Sequence, residues 1–172
     1  MATGNTAQVI IRPIQAEDIP FLWDMMYEAA IVAESMRALG KEKALSLPVN
    51  RKYVEGWGRS GDAGLIALDE AQQRWGAAWY RLHPASDPGY GFVSSTIPEL
   101  TIGVRADARR QGIGSILLRA LIDLAQREGY AALSLSVDRN NPALALYERL
   151  GFQDARISEP EDTSLTMIKR LR

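Results

Sequence analysis

The feature that most constrains this chain is a β-type run, Glu99–Val104, followed by a polar turn, a helix-periodic stretch from Ile113, and a second β-type run, Leu133–Val137. Ile113, Ile116, Leu117, Ala120, Leu121, Leu124 and Ala125 recur at helical spacing, and Gly129 stands where a helix would stop. Leu133, Leu135 and Val137 alternate with Ser134 and Ser136, the period of a strand. Two strands joined through a helix must run parallel with a right-handed crossover. The chain is therefore α/β, with a sheet that is at least partly parallel.

The turn inside this unit carries its chemistry. The first N–H groups of a helix have no intrahelical partner, and the helix dipole adds positive character there, so anions bind readily. Gly112 and Gly114 allow backbone to approach a bulky ligand, and Arg109 and Arg110 bring planar, permanently charged forks suited to phosphate oxygens. A phosphate-bearing ligand is expected. The dinucleotide fingerprint G-x-G-x-x-G fails because Leu117 occupies the third glycine position, and a Walker-type loop fails because Ser115 follows Gly114 with no lysine.

The spacing that fits is R-x-x-G-x-G, with Arg109 ahead of Gly112 and Gly114. About thirty residues on, a second constellation follows: Asn140-Asn-Pro-Ala143-Leu-Ala-Leu-Tyr147-Glu-Arg-Leu-Gly151-Phe152, or N-x-x-A-x-x-x-Y-x-x-x-G-F. From residues alone it is a short helix with Asn140 or Asn141 as cap, Pro142 in the first turn, Gly151 as stop and Tyr147 as a core aromatic. In this order the two patterns resemble the GNAT superfamily of N-acetyltransferases, specifically over residues 98–152.

The resemblance implies a single GNAT-like domain over residues 8–172, α/β (α+β in some schemes), with a central mixed sheet of about six to seven strands flanked by about four helices. It implies acetyl transfer from acetyl-CoA, without a metal, to a primary amine of a small molecule or peptide. The alternative is a non-catalytic acyl-CoA sensor. Ile102, Gly103 and Val104 would lend backbone groups to the pantetheine arm. Gln111, Gly112, Ile113, Gly114 and Ser115 would carry the pyrophosphate, helped by Arg109 and Arg110. Asn140, in a motif shared with Ala143, would hydrogen-bond the CoA arm, and Tyr147 would protonate the departing thiolate. Two departures from the family pattern stand out: Ala106 replaces a common proline, and Arg110 a common glycine. An alkylammonium of pKa ~10.4 must lose a proton before it attacks. Glu99 is the candidate base or amine anchor, or else a strand-end carboxylate facing solvent. The Val104 N–H is the candidate oxyanion donor.

Residues 8–13 read as a strand ended by Pro13, and residues 16–18 as the entry to a helix bearing Ile19, Leu22, Trp23, Met26 and Tyr27 on one face. Trp23 and Tyr27 are core or, with the loop through Gly40–Lys43 and Pro48, pocket lining. Residues 51–57 read as a short helix. Residues 64–69 and 76–82 read as antiparallel strands joined by a turn over 70–74. Trp79 and Arg81 share a face of the second, as a surface cation–π pair or toward a ligand. Residues 83–98 form a long loop in which Tyr90 and Phe92 are candidate lid residues and His83 an ordinary surface histidine. Residues 153–157 and 165–171 close the chain as a hairpin.

Composition narrows the function classes. Twenty basic against twenty-one acidic side chains argue against a nucleic-acid binder. Without cysteine and with one histidine, thiolate chemistry, disulfides and multi-histidine metal sites are excluded, and a cytoplasmic location is expected. Residues 1–7 read as a flexible tail, and no apolar run suits a bilayer, so no membrane partner is expected. The resemblance admits a homodimer.

Overall fold

The computed structural model describes residues 8–172; the tail expected over residues 1–7 lies outside them. Seven strands form one mixed sheet: β1 Ile10–Pro13, β2 Ala63–Leu68, β3 Arg74–Arg81, β4 Glu99–Val104, β5 Ala132–Asp138, β6 Gln153–Asp154 and β7 Ser164–Arg170, in spatial order β1-β2-β3-β4-β5-β7-β6. β4 and β5 are parallel, as the crossover requires, and every other neighbouring pair is antiparallel.

Six α-helices accompany the sheet, two more than expected: α1 Ile19–Ala30, α2 Glu34–Leu39, α3 Lys41–Ser46, α4 Pro48–Arg51, α5 Ile113–Arg127 and α6 Leu144–Arg149. The extra two, α2 and α3, occupy the segment read as a loop. They are single short helices that meet at Gly40 (φ 82°), too brief to show a periodicity in sequence. The helix expected over 51–57 is displaced upstream: proline suits a first helical turn, so α4 starts at Pro48 and ends at Arg51, with turns following. β6 is shorter than expected. Among the described residues no helix is long and apolar enough to cross a membrane.

Strand alternation divides the core in two. On one face α5 and α6 bury Leu65, Ala78, Leu100, Leu133, Leu135 and Phe152; on the other α1 buries against Ile66, Leu68, Ala77 and Trp79. The buried stripe of α5 is Ile113, Leu117, Leu118, Leu121, Ile122 and Ala125, with Ile116 41% exposed. That is a rotation from the expected stripe. An apolar arc wider than one face leaves the choice of face to the direction of the sheet beneath. Asp18, fully buried, ties the edge strand β1 to β3 by accepting from Arg12 at 2.6 and 2.9 Å and from Arg74 at 2.7 Å. Burial pushes its carboxyl up, but these bonds and the Gln15 N–H outweigh it and hold it well below the usual carboxylate range.

Candidate functional site

The two parallel strands separate almost at once. β4 and β5 are in register only at Glu99 and Ser134, where Ser134 N–H donates to Pro98 O at 3.0 Å. On the other side Arg105 N–H donates to Trp75 O at 2.9 Å. Backbone groups alternate sides along an antiparallel strand, so Glu99, Thr101 and Gly103 direct theirs to β3, while Leu100, Ile102 and Val104 direct theirs into the gap beside β5. The expected backbone donors Ile102 and Val104 thus face a cleft. Gly103, expected with them, does not: its backbone is committed to β3, and the absent side chain serves packing, because a Cβ there would collide with Met25 O of α1.

At the far end of the cleft a 3-10 turn, Ala106–Ala108, leads into the glycine turn. Ala106 opens that turn, a position a proline also fits. Arg110 has φ 65°, a left-handed conformation that glycine adopts without strain, which is the physical content of the arginine-for-glycine departure. Gly112 (φ 79°) is the N-cap of α5, and nothing lies within 4 Å of a Cβ built on it. Gly114 would meet only Ile102 Cδ1 at 3.9 Å and Val104 Cγ2 at 4.0 Å. Neither glycine is demanded by crowding within the chain, so the turn leaves an open cradle beneath the first N–H groups of α5, from Ile113 to Ser115. Gln111 and Arg110 are exposed around it. Arg109 Nη2 donates to Glu28 Oε2 at 2.7 Å, which draws the guanidinium toward the last turn of α1.

At the closed end lies Glu99, which is 3% exposed; burial excludes the solvent-facing alternative. Gly91 N–H donates to its Oε1 at 2.6 Å, and the Tyr53 hydroxyl lies beside it, both oxygens being 2.7 Å from where a Cβ on Gly89 would stand. Burial pushes the carboxyl up to about 7 against the pull of Tyr53, Gly91 and Lys52. Ser134 Oγ is buried without a partner among the described residues.

Tyr147, on α6, is buried with its ring edge-on to Phe152 at 6.1 Å, and burial pushes its hydroxyl up to about 12. Ala143 is the N-cap of α6 and its N–H donates to Asn141 Oδ1 at 2.8 Å. Of the two expected caps Asn141 makes the local one, while Asn140 is exposed; the helix starts at Leu144, so Pro142 precedes its first turn instead of lying in it.

The acceptor-side expectations fare unevenly. Trp79 and Arg81 are neither a surface pair nor ligand-facing. Trp79 is buried and donates to Tyr53 O at 3.0 Å. Arg81, 1% exposed, pairs with Asp62 at 2.8 Å, donates to Lys52 O and Glu55 O, and stacks over Trp57, not Trp79. A buried cation has to find such partners, and here they come from the turns after α4 and before β2. His83 is buried as well, edge-on to Tyr53 at 5.2 Å. Burial and the cations Arg59, Arg81 and Lys52 push it down to about 4. Trp23 packs against the α1-side core, and Tyr27 lies under the Lys41 ammonium at 5.9 Å. Phe92 is half-buried, while Tyr90 is exposed and its N–H donates to the Tyr53 hydroxyl at 2.7 Å. Tyr53 and the glycines flanking Tyr90 escape the sequence reading; the Gly89-Tyr90-Gly91 triplet is the one sign of a close backbone approach there.

Comparison with known proteins adds relatives. A family model described as the acetyltransferase (GNAT) family matches residues 41–152. A mycothiol acetyltransferase of Renibacterium salmoninarum is 34% identical over 107 residues, 58% of this chain and 30% of that protein. A [ribosomal protein bS18]-alanine N-acetyltransferase of Escherichia coli K12 is 49% identical over 57 residues, 33% of this chain and 38% of that protein. The alignments with these two thus reach only about a third of the relatives' own length. Among solved structures, a ribosomal-protein-alanine N-acetyltransferase from Brucella melitensis superposes with a TM-score of 0.65 at 26% identity, covering 94% of this chain and 99% of that one. The PaiA N-acetyltransferase of Thermoplasma acidophilum, solved with coenzyme A, gives 0.64 at 17% identity over 95% and 99%.

Proposed function

The chain belongs to the GNAT acetyltransferase family, and from that premise we propose that it transfers an acetyl group from acetyl-CoA to a primary amine of a small molecule or a peptide by direct attack. The observation that carries the proposal is the cleft between β4 and β5, with a buried carboxylate at its closed end and a glycine cradle at its open end.

The cradle suits acetyl-CoA, which brings the activated thioester. The N–H groups of residues 111–115 would take the pyrophosphate, with Arg109 and Arg110 alongside. Ile102 and Val104 offer backbone groups along the pantetheine arm, and Asn140 and Ala143 border it from the α6 side. The Val104 N–H would stabilise the oxyanion. Glu99 takes the ammonium proton: a carboxylate poised near neutrality holds the ionised form in a useful fraction and has affinity enough for the proton. Tyr147, protonated at neutral pH, returns a proton to the thiolate. Trp23, Tyr27 and Tyr90 remain the acceptor-side candidates. The relatives carry mycothiol and a ribosomal-protein alanine in their names, so they support a class of acceptor and no single compound.

The test is calorimetry with acetyl-CoA followed by thiol release across a panel of amines and amino-terminal peptides. Binding together with amine-dependent release is expected. Binding without release on any amine would favour an acyl-CoA sensor, and no binding would overturn both.

A further inference from the structure

Tyr53 lies in the turn after α4, and its side chain meets segments distant in sequence. Its hydroxyl oxygen accepts the Tyr90 N–H at 2.7 Å. An amide N–H can only donate, so the phenolic hydrogen is left free for another acceptor, and the carboxylate beside the hydroxyl is that of Glu99. That carboxylate accepts Gly91 N–H at 2.6 Å. The approach depends on Gly89, where a Cβ would stand 2.7 Å from both Glu99 Oε1 and the Tyr53 hydroxyl. One phenol thus joins the turn after α4, the loop before β4 and the first residue of β4.

We propose that Tyr53 is a positioning residue for acetyl transfer, holding the Glu99 carboxylate ionised and aimed while seating the Gly89–Gly91 loop over it. This rests on the reading of Glu99 as the base. The other groups around Glu99 do not duplicate the role. Lys52 is held by Asp87 at 2.6 Å and Pro88 O at 2.8 Å. Arg81, the cross-strand neighbour, is bound to Asp62, and Arg59 donates to Leu82 O at 3.2 Å. His83, behind the Tyr53 ring, is neutral at physiological pH. Ser134 Oγ, across from Glu99, is uncharged, and the exposed Tyr90 contributes only its backbone.

The experiment follows Glu99 directly, by carbon NMR of protein labelled at the glutamate carboxyls, with Glu99 assigned through Glu99→Gln. In Tyr53→Phe the Glu99 titration midpoint should rise by about one pH unit, because a hydrogen bond to the charged form favours it. The acid limb of kcat/KM should move with it, costing up to ~tenfold below neutrality and little at pH 9, with KM for acetyl-CoA unchanged. Incorporation of a fluorinated tyrosine at position 53, which keeps the shape and makes a stronger donor, should move the midpoint down. An unmoved midpoint, or activity lost equally at every pH, overturns the proposal. A midpoint that moves while Glu99→Gln keeps full turnover overturns the base reading and leaves the Tyr53–Glu99 coupling standing.

Discussion

Arg81 and Glu99 face each other across the β3–β4 ladder, both buried, yet the guanidinium turns to Asp62 at 2.8 Å and the carboxylate accepts Gly91 N–H at 2.6 Å. Had the two paired, the cation would have driven the carboxyl down and left it a poor base. Diverting Arg81 leaves burial as the dominant influence, and Glu99 titrates at about 7.

Glu99 therefore links stability to pH. Its folded value lies above its ordinary 4.5, so between about 4.5 and 7 the folded chain binds more protons than the unfolded one, and stability falls as pH rises through that window. Glu99→Gln should lose this slope and exceed the parent by about 3 kcal/mol at pH 8, while turnover drops ~10²–10⁴-fold. Denaturant melts at pH 5 and pH 8 check the first, thiol release the second; equal slopes in the two proteins would refute the linkage.

Asp62 and Arg81 are a buried pair, their side chains 2% and 1% exposed. Asp62→Asn leaves a buried cation uncompensated and should destabilise by about 3–5 kcal/mol. A thermal melt unchanged from the parent would show the pair to be dispensable.

Gly114→Ala separates folding from cofactor binding. An added Cβ meets nothing closer than 3.9 Å and replaces glycine within a helix, so stability should rise by about 0.5–1 kcal/mol. Acetyl-CoA affinity by calorimetry should fall at least ~tenfold if the pyrophosphate lies against that backbone. Unchanged affinity would remove the cradle from the site.

Arg110→Gly exchanges strain for charge. Relief of the left-handed conformation at φ 65° should stabilise the fold by about 1 kcal/mol. Acetyl-CoA binding should weaken and become less sensitive to salt, as a lost phosphate contact requires. Affinity equal to the parent across salt concentrations would place Arg110 outside the site.

Tyr147→Phe should lower turnover ~10²-fold with acetyl-CoA affinity unchanged, since only the hydroxyl that returns the proton is lost. Paired calorimetry and rate measurements check the split; undiminished turnover would end the proton-donor role.

The β4–turn–α5–β5 unit could be read from residues alone because each part is local. Period two in the strands, a broad apolar arc in the helix and glycines at the turn act on neighbours a few residues apart. The motif from Asn140 to Phe152 was legible for the same reason. Tertiary structure decided everything that joins distant segments: which face α5 buries, which edge of β4 is left open, and the burial of His83. It also set the partners of the charged groups. Arg81 finds Asp62 nineteen residues away, and Tyr53 reaches Tyr90 thirty-seven residues away. Composition and periodicity carry no record of such pairings. They arise because a polar group removed from water must bond to whatever the fold brings within reach.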